Sequence, residues 1–570
     1  MKALNKVFMA TGLGLSLVAS SCTGDLDLMP TDPNQITYST FAEDPAGYME
    51  RSLADIYLNY VTVGPNNNSV ITKFDGGMSV FQRALFNLQE VPTDEANWLY
   101  SFNDVNFGDL QYGIFTTNNV CIGGTYSRLL INITLCNDFI RTVNEGYFNV
   151  EGDANLKDMA DNYVRQAKVL RAAAYYYFID LFGNVPYADE NTKMNSVPEQ
   201  MSRAEVYNKV VKDLEAVAAS YNNINDAHYG FVGLDVAEAI LVKFYLNAEV
   251  YTGQAQWQKC INMAERIIAR HQGGGFQASD GTFTGLCKNY FNNFSYNNFN
   301  YANGSGSDQS EILWILPASN LTPSHLKTYG GATIMLNAMA GSPAPASGAS
   351  MNYKDRYNTD NGWSCVSARR QFSEVFNWNG DFTYVEDGDV RVDYWATGAD
   401  GFSIDNPNLL GTNYGMNGFA PIKYTNWWLN EDGTIDRTMT PPAPKDEGIT
   451  AYAMIRLAEI YLSAAEAYMM QGNTAKALEY TNFIRERACV MPWDLSEMTL
   501  ENLQDERQRE LYTECTRRTD LIRYGKWTSG YNWNWKNKVA KGGDMPSHYD
   551  LYPIPESIQG PANYKQNPGY

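Results

Sequence analysis

Apolar residues recur at three- and four-residue steps through two long tracts of this chain, and between the tracts that rhythm stops. In the first tract Ala167, Leu170, Ala174, Phe178 and Leu181 fall on one helical face, which Gly183 and Pro186 bring to an end. The same period predicts helices near 44–62, 125–143, 203–220, 234–251 and 255–271, with Gly253 and Gln254 making a short antiparallel turn between the last two. The second tract starts near Ala451. There Leu457, Ile460, Ala464, Ala465 and Tyr468 form a stripe whose alanines let a neighbouring helix approach closely, Gly472 interrupts it, and 474–487 reads as the return helix.

Between 273 and 448 the chain turns to Gly, Asn, Ser, Pro and aromatics, as in GGGF (273–276), NYFNNFSYNNFNY (289–301) and SPAPASG (342–348). Long loops in a compact protein usually carry function or are disordered, and this density of rings argues against disorder. Binding chemistry is therefore expected on these loops, held by the helical scaffold. The expected fold class is mainly α, with paired helices that resemble tetratricopeptide-like hairpins. One domain is expected over 44–570, helical at 44–272, loop-rich at 273–448, helical again at 449–528, with a C-terminal segment at 529–570.

The first residues change the picture of where the protein works. Lys2 and Lys6 precede an uncharged stretch from Val7 to Ala19, and Ser20 and Ser21 stand before Cys22. This pattern predicts a signal peptide over 1–21, too short in its apolar part to span a bilayer, with Cys22 lipidated as the new N-terminus. An ordinary secretion signal with an incidental cysteine is the alternative, since Ala19 stands where such lipoprotein signals usually carry Leu. Residues 22–43, acidic and broken by Pro30 and Pro33, then form a tether. No later window is apolar enough for a transmembrane helix, so membrane attachment is expected through lipid alone.

Formal charge is −21, and losing Lys2 and Lys6 makes the mature chain −23, which excludes the basic balance that phosphate backbones attract. Nucleic acid is not an expected partner. Eight cysteines occur, and apart from Cys22 they (Cys121, Cys136, Cys260, Cys287, Cys365, Cys489, Cys515) show no CxxC pair, so neither a disulfide framework nor a zinc site is expected. Aromatics, by contrast, are abundant: 39 Tyr, 25 Phe and 12 Trp make 13% of the chain against 19% charged residues. Most must serve a core, yet an aromatic face also lies flat on the C–H side of a sugar ring while a tyrosine hydroxyl bonds to its substituents.

Several stretches resemble the SusD/RagB family of outer-membrane nutrient-binding lipoproteins. AKVLRAAAYYYFIDLFGNVPY (167–187), IRLAEIYLSAAEAY (455–468), ERQRELYTECTRRTDLIRYGKW (506–527), YPIPESIQG (552–560) and QNPGY (566–570) are similar to its signatures, and the likeness runs nearly the whole length. Within them Arg171, Arg456, Glu466, Glu510, Arg517 and Asp520 read as ion pairs between packed helices and not as catalytic groups. The resemblance is closest to the starch-binding founder of the family. FQRALFNLQEVPTDEANWLYSFND (81–104) implies Arg83, Tyr100 and Asn103 as glycan contacts, LKTYGGATIML (326–336) implies Tyr329, and NGWSC (361–365) implies Trp363. Position 100 holds Tyr where the starch binder has Trp, which narrows the platform; Trp98 is expected in the core. Arg83 would offer several fixed donors to sugar oxygens and Asn103 both donor and acceptor.

The role implied is non-catalytic capture of oligosaccharides, α-glucan favoured, for a SusC-type TonB-dependent transporter, facing the cell exterior from the outer membrane. Two other readings stay open: the same role for a fructan such as levan, another glycan or a peptide, and a surface glycoside hydrolase of helical fold. The 64 carboxylates alone do not support hydrolysis. Only His228, His271, His325 and His548 occur, without metal-like spacing, and no GxSxG elbow, Walker loop or dinucleotide fingerprint is present. His325 stands near Tyr329. The acidic EDGD (386–389) could hold calcium yet lacks the full EF-hand pattern; no metal site is assigned and no cofactor is expected.

Overall fold

A computed structural model describes residues 41, 43–62, 80–98, 105–226, 228–318, 336, 339, 357–359, 366–368, 370–377, 388–397, 419–439, 449–531, 533, 536 and 543–570. The fold is mainly helical. At its centre runs Ala154–Phe182, 29 residues long, whose start is capped by the Asp153 carboxylate accepting from the Asn155 and Leu156 amides and whose end is Gly183 at φ 67°. From Gln166 onward this helix is buried almost throughout, because Val120–Asn144, Arg203–Ser220 and Pro45–Val61 pack around it. A second layer packs Trp257–His271 against both Leu234–Leu246, buried at every position, and Leu457–Met470, and Thr474–Arg487 returns along the last of these. Successive antiparallel pairs of this kind are the tetratricopeptide-like arrangement expected from the pattern.

Arg203–Ser220 and Thr474–Arg487 form at the residues the periodicity gave; the first opens with a capping box between Ser202 and Glu205. Elsewhere tertiary packing overrides the pattern. The helix expected over 234–251 breaks at Asn247, whose side-chain amide donates to the Lys243 carbonyl and separates Leu234–Leu246 from Ala248–Thr252. The start of the second tract is a strand: Tyr452–Arg456 pairs antiparallel with Ile312–Leu316, with Ile312 opposite Arg456 and Leu316 opposite Tyr452. The stretch 506–527 is likewise divided, into Leu500–Leu511 and Arg517–Arg523.

The larger correction concerns much of 289–301, expected as binding loop, where Tyr296, Phe299 and Asn300 keep exposure near the middle and end. Tyr290, Phe291, Phe294 and Tyr301 are buried in the core, and so are Asn292, Asn293, Asn297 and Asn298. The asparagines satisfy backbone that no helix or sheet satisfies: Asn293 donates to the Tyr290 carbonyl, Asn297 to that of Leu429, and Asn298 to those of Asn293 and Ala451.

The charged residues of the signature stretches tie the layers together. Arg171 reaches Glu190 at 2.6 Å and Asp213 at 2.8 Å. Glu466 holds Arg523, and Asp520 takes Arg507 at 3.0 Å. Arg456, fully buried, meets Glu311 at 2.6 Å, Glu510 at 2.9 Å and Glu514 at 2.7 Å. Glu510 also accepts from Arg487 and faces Arg391, which is fixed in turn by Asp389 and Glu506. Burial alone would raise the Glu510 carboxyl; Arg487, Arg456 and Arg391 outweigh it and hold the group below the usual carboxylate range.

Candidate functional site

Phe81–Gln89 is a nine-residue helix buried on all sides, and the chain then turns through 90–96 into the two-residue strand Asn97–Trp98, which pairs with Val366–Ser367. This ladder brings the stretch that leads to Tyr100 and Asn103 beside the one that follows Trp363. Trp98 lies in the core, 6% exposed and stacked on Phe107 at 4.3 Å, as expected. Arg83 is placed differently from a sugar-facing donor. It is 2% exposed, and its guanidinium sits 4.8 Å over the Trp98 ring and 5.3 Å over Phe107. Tyr100, Asn103, Tyr329 and Trp363, with Cys22 and His325, lie outside the described residues.

Beneath this ladder is a carboxylate clamp that the sequence reading did not identify. Glu90, Asp94 and Glu95 are all buried and reach the turn between Leu500–Leu511 and Arg517–Arg523. Glu90 accepts from the Thr516 amide at 3.0 Å and Glu95 from that of Thr513 at 2.8 Å, while Asp94 takes Arg517 at 3.0 Å, Gln508 at 2.6 Å and the Tyr531 hydroxyl at 2.9 Å. The turn needs such holding, for Thr513 and Cys515 both have left-handed backbone, φ 61° and 60°, which a β-branched residue rarely adopts. Tyr452 and Lys423 secure it from the other side, through the Thr513 and Tyr512 carbonyls at 3.0 and 2.8 Å.

Asp94 and Glu95 face Arg517 at 3.0 and 4.0 Å and Glu90 stands beside Glu95, so one guanidinium is set against three buried carboxyls. Burial, then the neighbouring Glu95, pushes Glu90 well up; burial and Asp94 lift Glu95 to about 7 against the pull of Arg517. Asp94 has the best partners, and Arg517, Gln508 and Tyr531 outweigh its burial to leave it below the usual range. Raised carboxyls in a cleft can mark general acids. These are sealed from solvent and bonded to backbone, which suits a clamp.

Asp389, the end of the acidic EDGD stretch, accepts from Arg391 at 2.9 and 2.8 Å and from its amide at 3.0 Å. Among the described residues no group of three or more His, Cys, Asp or Glu could hold a metal ion, no cysteines are joined by a disulfide, and no helix is long and apolar enough to cross a membrane.

Comparison with known proteins gives this arrangement its relatives. A family model described as the SusD family matches residues 238–570, and a second, described as starch-binding associating with outer membrane, matches 135–236. The starch-binding protein SusD of Bacteroides thetaiotaomicron is 29% identical across 100% of this chain and 99% of its own length. A SusD-like protein, P25, of Formosa agariphila is 24% identical over 66% of each chain. Among solved structures, surface glycan-binding protein A from Bacteroides fluxus superposes with a TM-score of 0.65 at 19% identity, covering 92% of this chain and 99% of that one. The Bacteroides thetaiotaomicron surface glycan-binding protein A in complex with laminarihexaose gives 0.62 at 19% identity, over 91% and 99%. With its helical pairs, its buried charge network and a family model spanning more than half its length, the chain belongs to the SusD family.

Proposed function

We propose that this protein is a non-catalytic, cell-surface glycan-binding lipoprotein that captures oligosaccharides and passes them to a SusC-type TonB-dependent transporter in the outer membrane. The observation that carries the reading is the full-length likeness to a starch-binding protein within a family the chain belongs to. A structural relative solved with laminarihexaose supports glycan as the ligand class, and the matched description of association with the outer membrane supports the location. Lipidated Cys22 and the tether over 22–43 anchor the chain, with the body facing the cell exterior.

In this reading Tyr100, Tyr329 and Trp363 supply ring faces and Asn103 pairs with sugar hydroxyls. Arg83 acts from below, its guanidinium spread over Trp98 so that the strand leading to Tyr100 keeps its level. No reaction is assigned, because the buried carboxylates described above are committed to arginines and backbone amides. The α-glucan preference follows the starch-binding relative; fructan, another glycan or peptide is the second reading, favoured by Tyr at position 100 in place of Trp. Calorimetric titration of the unlipidated protein with α-glucan, β-glucan and fructan oligosaccharides, repeated on Trp363→Ala, tests it. Heat from α-glucan that disappears in the variant supports site and cargo together. Undiminished binding by Trp363→Ala removes the site.

A further inference from the structure

A second group of rings lies among the described residues and is not used by the site proposed above. Tyr229, 38% exposed, comes from the loop between Arg203–Ser220 and Leu234–Leu246; Tyr296 and Phe299 come from the 289–301 segment; Trp428 opens a hairpin closed by the Leu429–Ile435 bridge. Tyr296, Phe299 and Trp428 are partly exposed where their neighbours Phe294 and Leu429 are buried. The rings run in one chain of contacts: Tyr229 to Phe299 at 6.2 Å, Phe299 to Trp428 at 5.8 Å, Trp428 to Tyr296 at 5.7 Å, mutually tilted or edge-on.

Three features separate this strip from leftover core. Its backbone is pinned: the Tyr296 amide donates to the Trp427 carbonyl, Asn297 bonds both polar groups of Leu429, and the Asp436 amide donates to the Trp428 carbonyl. No cation caps it: among the described residues no lysine or arginine lies over these four rings, whereas adjacent Trp427 is capped by Arg437 at 5.2 Å. Its polar handles are unused. The Tyr229 and Tyr296 hydroxyls and the Trp428 indole N–H have no hydrogen-bond partner among the described residues; Tyr126, Tyr207 and Tyr221 also lack one but are buried in the core, whereas the strip rings are partly exposed. Burial, with a smaller contribution from the nearby Tyr296 hydroxyl, pushes Tyr229 up to about 12. Exposed Asn300 and Asn430 flank the rings with neutral amides.

Rigid ring faces with free hydroxyl and indole donors and amide neighbours match a ligand that presents C–H surfaces and hydroxyls together. We infer that the Tyr229, Phe299, Trp428 and Tyr296 strip is a further carbohydrate-contact surface, taking neutral sugar rings of a chain long enough to touch it as well as the site at Trp363. The inference rests on the glycan-binding reading. Two contacts on one polymer raise its effective concentration at each, so the strip contributes to long glycans and little to short ones.

Hydroxyl-radical footprinting of the full mature chain with soluble starch, laminarin and levan, read by mass spectrometry, tests this directly. In the polymer that protects Trp363, modification of Tyr229, Phe299, Trp428 and Tyr296 falls several-fold, while exposed Phe283 is labelled as before. Trp428→Ala then weakens polymer binding several-fold and leaves a short oligosaccharide of the same linkage unchanged; Tyr229→Ser gives the same split should Trp428→Ala fold poorly. Protection of Trp363 with the strip labelled at its free rate overturns the inference alone. Protection of the strip only on adding the transporter assigns it to protein docking and also overturns it. If no polymer protects either place, the glycan-binding reading falls first and this inference with it.

Discussion

Glu510→Gln is the sharpest test of how the layers are held. The Glu510 side chain is fully buried and is the counter-charge common to three guanidiniums: Arg487 at 2.5 Å, Arg456 at 2.9 Å and Arg391 at 3.5 Å. The amide keeps the volume and removes the charge. Its NH2 group also points donors at donors, so the arginines lose an acceptor as well as an ion pair. Arg456 and Arg487 retain Glu311, and Arg391 retains Asp389 and Glu506, which bounds the loss. Breaking one partner out of a buried pair costs about 3–5 kcal/mol, a fifth or more of the ~5–15 kcal/mol that keeps a typical domain folded. Urea unfolding followed by tryptophan emission would read this as a fall in midpoint with an unchanged slope. The matched control is Glu431→Gln, which breaks the exposed Lys288 pair and is expected to stay within about 0.5 kcal/mol. If Glu510→Gln loses no more than the control, the network is not what joins the layers.

The carboxyls fall into two sets with opposite pH behaviour. Asp520, held at about 2 by Arg507 and Arg523 against its burial, contributes stability above its unfolded value that is lost as pH falls through about 4 to 2. Glu95, lifted to about 7, favours the folded state while protonated, and that contribution is lost as pH rises toward 7. Glu95→Gln is therefore expected to gain in melting temperature relative to wild type between pH 5 and pH 8; a difference constant with pH contradicts the proton held at this clamp. Gly183→Ala puts a Cβ 2.6 Å from Leu551 at φ 67° and is expected to cost more than about 1 kcal/mol in the same urea assay. Cys22→Ser is expected to move the protein from the detergent phase to the aqueous phase on phase separation; unchanged partitioning would contradict the lipid anchor.

Sequence periodicity resolved the long helices, the half-wet Arg203–Ser220 and the fully buried Leu234–Leu246 alike, because length separates a helix from a strand. It failed on short buried runs. A short apolar run such as Ala451–Ile455 fits a helix start as well as a core strand, and its pairing with Ile312–Leu316 decides. The 289–301 stretch misled for a related reason, since its asparagines look like loop residues yet spend their amides on buried carbonyls. The Glu90, Asp94 and Glu95 clamp had no local signal, because its partners lie more than 400 residues away in sequence. At the proposed site, resemblance supplied every residue and spacing supplied none. Arg83 shows the limit of that transfer, for the structure buries it against Trp98.

The central claim is capture without chemistry. Incubating the unlipidated protein with the oligosaccharide that gives binding heat, and following reducing ends and chain length by chromatography over many hours, tests it most directly. Saturable heat and an oligosaccharide recovered intact are the expected results. Release of shorter products, or no binding by any glycan offered, would contradict it.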